Sequence, residues 1–146
     1  MTEIDQKYRT LVTLWFILLF SQLLFVVVIF SVKGREVLLD PENSQLGDLS
    51  PIVIGAAILA VTNFAVSFII RKNAIERGIA EKKPEYVQTA LILGSVFCEA
   101  ISIIGLILAF AFDYPYFYYW LIIGFIGIFL HFPRRKHLEE ASRITY

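Results

Sequence analysis

Ile92–Phe110, ILGSVFCEAISIIGLILAF, is a run suited to hydrocarbon that carries one carboxylate, Glu99, near its middle. Its length meets the roughly 17 to 25 residues that a helix needs to cross about 30 Å of hydrocarbon, so it predicts a membrane span. Working outward, the runs 11–32, 52–70, 86–112 and 114–132 satisfy the same requirement, and Glu99 is the one Asp, Glu, Lys or Arg within any of them. Composition agrees, with 58% hydrophobic residues, 18% charged residues and a mean hydropathy of +0.69. The expected fold is therefore all-α and integral to the membrane, a single domain over 1–146 with four transmembrane helices. The first run is too long for a signal-peptide core and no small-x-small cleavage site follows it, so it is expected to be retained.

Charges sort sharply along this frame. Lys7 and Arg9 precede the first run, five basic residues from Arg71 to Lys83 join the second to the third, and Arg134, Arg135, Lys136 and Arg143 end the chain. Placing both termini and the 71–85 loop in the cytoplasm puts eleven of the thirteen Lys and Arg inside, leaving Lys33 and Arg35 outside. A multi-pass protein of an inner, cytoplasmic membrane is the expectation. Tyr114, Tyr116, Tyr118, Tyr119 and Trp120 then form an outer aromatic belt, with Trp15 and Tyr86 nearer the inner interface. Ser50-Pro51 and Pro84-Glu85 read as helix starts, and Gly34 to Ser50 as a short polar outer loop.

No metal-ligand spacing, nucleophile motif or phosphate-binding glycine loop is present, so neither a catalytic residue, an enzyme activity, a metal nor an organic cofactor is expected, and no nucleic-acid partner. Cys98 is the lone cysteine and reads as a small apolar filler. His131 and His137 read as interfacial polar residues. The basic tail reads first as a topology anchor, and it could also touch anionic headgroups of lipid.

Glu99 remains. An ionised acid near the bilayer centre costs about 2.5 to 3.5 kcal/mol on insertion scales, and no run offers a lysine, an arginine or a central histidine as its partner. A protonated carboxyl, a bound cation, or an ion pair with another polypeptide are the states left open. Counting back from a turn near Lys82 brings 62–67 level with Glu99. Asn63 is the first candidate ion-site partner, followed by Ser102, Ser95 and Thr62. Ala56, Ala60, Asn63 and Ser67 make one small-residue stripe, and Gly94, Cys98, Ser102, Gly105 and Ala109 another. Close packing of the two helices is expected along them.

The hairpin RKNAIERGIAEKKPE followed by LILGSVFCEAISIIGLILAF resembles the proteolipid, or subunit c, of rotary ATPases, over about 52–112. Glu99, Ala100, Ile101, Ile103, Gly105, Leu106 and Ala109 fit that family's E-A-I-x-I-x-G-L-x-x-A pattern. The resemblance implies a ring of hairpins in which Glu99 binds an ion, Asn63 lies where the first helix contributes a contact, and an arginine of a stator-like membrane subunit discharges the acid. Ala100 and Asn63 make the implied ion a proton rather than sodium. The resulting expectation is a central subunit c-like antiparallel hairpin with an extra helix on each side, assembled as a homo-oligomeric ring in contact with lipid, for proton translocation by a rotary ATPase. A stand-alone c-ring-like or pore-forming assembly without a motor is the alternative, and a small proton-coupled exporter the third reading.

Overall fold

A computed structural model describes residues 3–33 and 50–142, in five helices: α1 Glu3–Lys33, α2 Pro51–Glu81, α3 Pro84–Phe112, α4 Tyr118–Leu130 and α5 Arg135–Ser142. Of the expected outer loop Gly34 to Ser50, all but Ser50 lies outside the described residues, and so does Arg143 in the tail. Three helices, α1, α2 and α3, are long and apolar enough to cross a membrane, and α4 is a shorter apolar helix. Their outward faces carry large exposed hydrophobic side chains, among them Phe16, Phe20, Val27, Val61 and Ile107. An apolar surface this continuous belongs against lipid.

Helix boundaries depart from the expected ones for local reasons. Ser50 caps α2 as expected, its hydroxyl accepting from the Val53 N–H at 3.3 Å, with Pro51 in the first turn. The helix does not stop at Ile70 but runs to Glu81, so most of the supposed 71–85 loop is helical. That segment is rich in helix formers and carries i,i+4 ion pairs, Lys72–Glu76 and Arg77–Glu81. Lys82, left-handed at φ 55°, ends it, and the Lys83 N–H donates to the Gly78 carbonyl at 2.9 Å. The whole reversal is Lys82-Lys83, since Pro84 opens α3. Gly78 permits it: a Cβ there would lie 3.1 Å from the Lys83 carbonyl oxygen and 3.1 Å from Tyr86 Cβ.

The fourth run, expected over 114–132, is helical only from Tyr118 to Leu130, about 20 Å of rise. Asp113 takes φ 50° and Pro115 holds Tyr114 out of the helical region, so 114–117 form a turn; Pro133 stops the helix at the other end in the same way. The aromatic residues here touch one another, with Tyr114 edge-on against Tyr116 and Trp120 at 5.7 and 5.9 Å.

Helix α3 is the hub. It is antiparallel to α2 through the tight turn and parallel to α1, as pairs 78 to 80 positions apart show: Lys7 with Glu85 at 3.4 Å, Ser21 with Glu99, Gln22 with Ser102, and Lys33 with Asp113. Trp15 Nε1 donates to the Ile128 carbonyl at 2.7 Å and ties α1 to α4. The last helix, α5, folds under the basic end, with Leu138 and Ala141 buried and Arg135 paired to Asp5 at 2.9 Å.

Candidate functional site

Around α3, the buried positions Gly94, Cys98, Ile101, Ser102, Gly105 and Ala109 define an inner face, while Val96, Ile103 and Ile107 look outward. Glu99 falls between the two and is half-buried. It lies at the edge of the seam with α1, where Ser21 Oγ stands 2.8 Å from its Oε1. The same hydroxyl lies 2.7 Å from the Leu18 carbonyl oxygen of its own helix. Among the described residues Glu99 has no ion pair, so its one recorded polar neighbour is a serine hydroxyl from the helix 78 positions earlier.

A serine has one hydrogen to give and two lone pairs with which to accept. If Glu99 is ionised, Ser21 donates to it and turns away from Leu18. If Glu99 is protonated, its O–H donates to Ser21 while Ser21 donates to the Leu18 carbonyl, and every hydrogen is used. One placement of heavy atoms thus serves both charge states, and the neutral one escapes the cost of a charge in hydrocarbon.

A second polar pair lies beside the first. Gln22 is 3% exposed, and its Oε1 accepts a short hydrogen bond from the Ser102 hydroxyl. Two buried atoms, Gln22 Nε2 and Ser95 Oγ, have no hydrogen-bond partner among the described residues. Such groups normally find a partner or a water when buried, because leaving them bare costs a few kcal/mol.

Of the sequence candidates, Glu99 lies half-buried at the α1 seam, and its polar neighbour there is Ser21 rather than any of the residues expected beside it. Asn63 does not meet Glu99; its amide donates to the Leu59 carbonyl of its own helix at 2.9 Å. Thr62 is exposed on α2. Ser102 belongs to Gln22, and Ser95 is buried without a partner among the described residues. The reason is rotational: the edge of α3 that carries Glu99 is turned toward α1, with α2 on the other flank.

Of the two stripes, Ala56, Ala60, Ser67, Gly94, Cys98, Ser102, Gly105 and Ala109 are buried and Asn63 is only partly so, and α3 spends much of its stripe on α4. A Cβ on Gly124 would lie 2.9 Å from the Cys98 carbonyl oxygen, and one on Gly105 2.9 Å from Trp120 Cβ. Ser67 does face α3, accepting from the Cys98 thiol at 3.5 Å. His131, read as interfacial, is fully buried: one ring nitrogen, Nδ1, donates to the Gly127 carbonyl at 2.6 Å and the ring packs on Phe68 at 4.6 Å. Ser21 and Gln22 were the residues to find. Their signal is a pair of adjacent polar residues within a run of 22 that is otherwise nearly all apolar.

No protein-family model, no curated protein and no solved structure matches the chain.

Proposed function

We propose that the chain works as a membrane proton-binding protein in which Glu99 takes up and releases one proton within the bilayer, its basic end facing the cytoplasm. The observation that carries this reading is the Ser21 hydroxyl, placed to accept from the protonated carboxyl and to donate to the ionised one without moving a heavy atom. Gln22 and Ser95 support it, because their unpartnered atoms suit a water that would pass the proton along. A lipid-soluble carbodiimide, which reacts with protonated carboxyls, is expected to label Glu99 in membranes, less so as pH rises. Glu99→Gln keeps the shape and the hydrogen bond to Ser21 and should abolish labelling and proton exchange while the fold survives. Labelling that ignores pH, or collapse of the fold in Glu99→Gln, would make the acid structural and end the proposal.

The second reading is the subunit c-like ring, whether in a rotary ATPase or standing alone. It is favoured by the half-burial of Glu99, which leaves one side of the carboxyl open to an arginine from another polypeptide. Against it, α1 and α4 both pack on α3, so ring contacts would have to run through α2 and the outer faces of those two helices. Native mass spectrometry separates the cases, since a large closed oligomer supports the ring and a monomer or dimer supports the self-contained bundle.

A further inference from the structure

At the basic end of the bundle, α2 and the connection between α4 and α5 enclose an open cavity of about 390 Å³ walled by Arg71, Lys72, Arg134 and His137. Arg71 is held in place there, its two Nη atoms donating to the Leu130 and Phe132 carbonyls at 2.9 and 3.0 Å, so its charge cannot swing away. Arg134 makes no ion pair among the described residues, whereas its neighbours do: Arg135 with Asp5 and Glu139, Lys136 with Glu140. The one acid on the cavity wall, Glu76, is loosely engaged with Lys72 at 3.8 Å. Burial first, and then the charges of Arg71 and Arg134, hold His137 below the usual histidine range, with Glu140 opposing them in part. The first turn of α5 carries no acid, at the helix end where the dipole already favours an anion.

The cavity also has an apolar side. Phe68 and Ile75 complete its wall, and Phe129, Leu130 and Phe132 beside the Arg71 anchor are exposed. Its level is therefore the one at which hydrocarbon gives way to charge, where lipid phosphates lie. We propose that this cavity binds the phosphate of an anionic phospholipid headgroup, with Arg71 and Arg134 as its principal cations, Lys72 at its rim, and the acyl chains leaving past Phe68. The positive excess selects for net negative lipids over zwitterionic ones, as basic pockets between membrane helices do.

The test uses the full chain in nanodiscs of phosphatidylcholine doped with phosphatidylglycerol, released for native mass spectrometry. The wild-type protein should retain phosphatidylglycerol in preference to phosphatidylcholine. Lys72→Gln with Arg134→Gln should reduce that retention by about twentyfold, and Lys82→Gln with Lys83→Gln, the same charge loss at the hairpin tip, should leave it intact. Equal loss in both doubles, or no loss in the first, overturns the site in favour of diffuse surface charge. Displacement of the lipid by millimolar inorganic phosphate overturns it in favour of a soluble phosphate. Arg71 is left in place because it caps α4; if the first double variant does not fold, Arg134→Gln alone should lower retention by about fivefold, and an unchanged value overturns the proposal.

Discussion

Helix α3 meets its neighbours through two seams built on different physics. Toward α4, and toward α2 at Ser67, the contact is made by small residues that let backbones approach: Gly94, Cys98 and Gly105 on one side, Gly124 and Gly127 on the other. Toward α1, the contact is made by polar pairs, Ser21–Glu99 and Gln22–Ser102 at mid-span, with Lys7–Glu85 and Lys33–Asp113 at the two ends. Lipid tails are as apolar as leucine, so burying more leucine does not hold membrane helices together. Close packing supplies the cohesion of the first seam. The second spends polar groups that are expensive in hydrocarbon.

The contrast breaks most visibly at Gly124. A Cβ added there overlaps Ser102 Oγ and comes 2.9 Å from the Cys98 carbonyl oxygen, a backbone atom that cannot rotate aside. Gly124→Ala should therefore force α3 and α4 apart and cost about 3 kcal/mol, read as a lowered unfolding midpoint in detergent. Carbodiimide labelling of Glu99, on the other seam, should persist in whatever fraction remains folded. An unchanged midpoint would show that the packed seam is not the cohesive one.

Next in size is Ser21→Ala, which removes the one polar partner of Glu99 among the described residues and leaves packing almost untouched. The expected loss is about 1 kcal/mol of stability, the usual worth of a hydrogen bond between membrane helices. The chemical effect should exceed it: without a hydroxyl that can donate or accept, the pH dependence of labelling at Glu99 should shift. If the midpoint falls as far as in Gly124→Ala while labelling stays as it was, the two seams have been assigned the wrong way round.

These seams were not equally legible in the sequence. Hydropathy marked α1, α2 and α3 because hydrocarbon demands about twenty apolar residues in a row. The hairpin register could be counted as well, since a two-residue turn at Lys82-Lys83 forces Ser67 level with Cys98, and Cys98 does donate to Ser67. Glu99 stood out because nothing in its run explains it. Its partner was hidden: α1 and α3 are not consecutive, and no loop length sets their register or rotation, so Asn63 looked closer than Ser21. The ends of α2 and α4 were misread for local reasons, a charged segment that continued as helix and two prolines that cut an apolar run short.

A smaller perturbation sharpens the account of the α1 seam at its end. Lys33 and Asp113 form a partly exposed ion pair, and Asp113 also takes a left-handed conformation at φ 50°. Asn tolerates that backbone where Ala does not, so Asp113→Asn isolates the charge. It should cost under about 1 kcal/mol in thermal unfolding, and salt should narrow the gap to wild type. Asp113→Ala should cost visibly more, because it adds backbone strain to the lost pair. Equal costs would mean that the turn before α4 does not need its left-handed residue.

The slightest effect expected lies outside both seams, at His137. Burial and the charges of Arg71, Arg134 and Lys136 hold its imidazole below the usual histidine range, and Glu140 opposes them only in part. A histidine that resists protonation in the folded state contributes stability that is complete above the unfolded value, about 6.5, and is lost as pH falls from there toward the folded value. Thermal midpoints of the wild type should thus decline between about pH 7 and pH 5 somewhat faster than those of His137→Gln, in which that proton has nowhere to bind. Because His137 lies near the basic end and Glu99 at mid-span, the difference between the two proteins should leave the pH profile of carbodiimide labelling unchanged. A shift in that profile would couple the basic end of the bundle to the acid, and the separation drawn between packed and polar contacts along α3 would have to be replaced by a single cooperative unit.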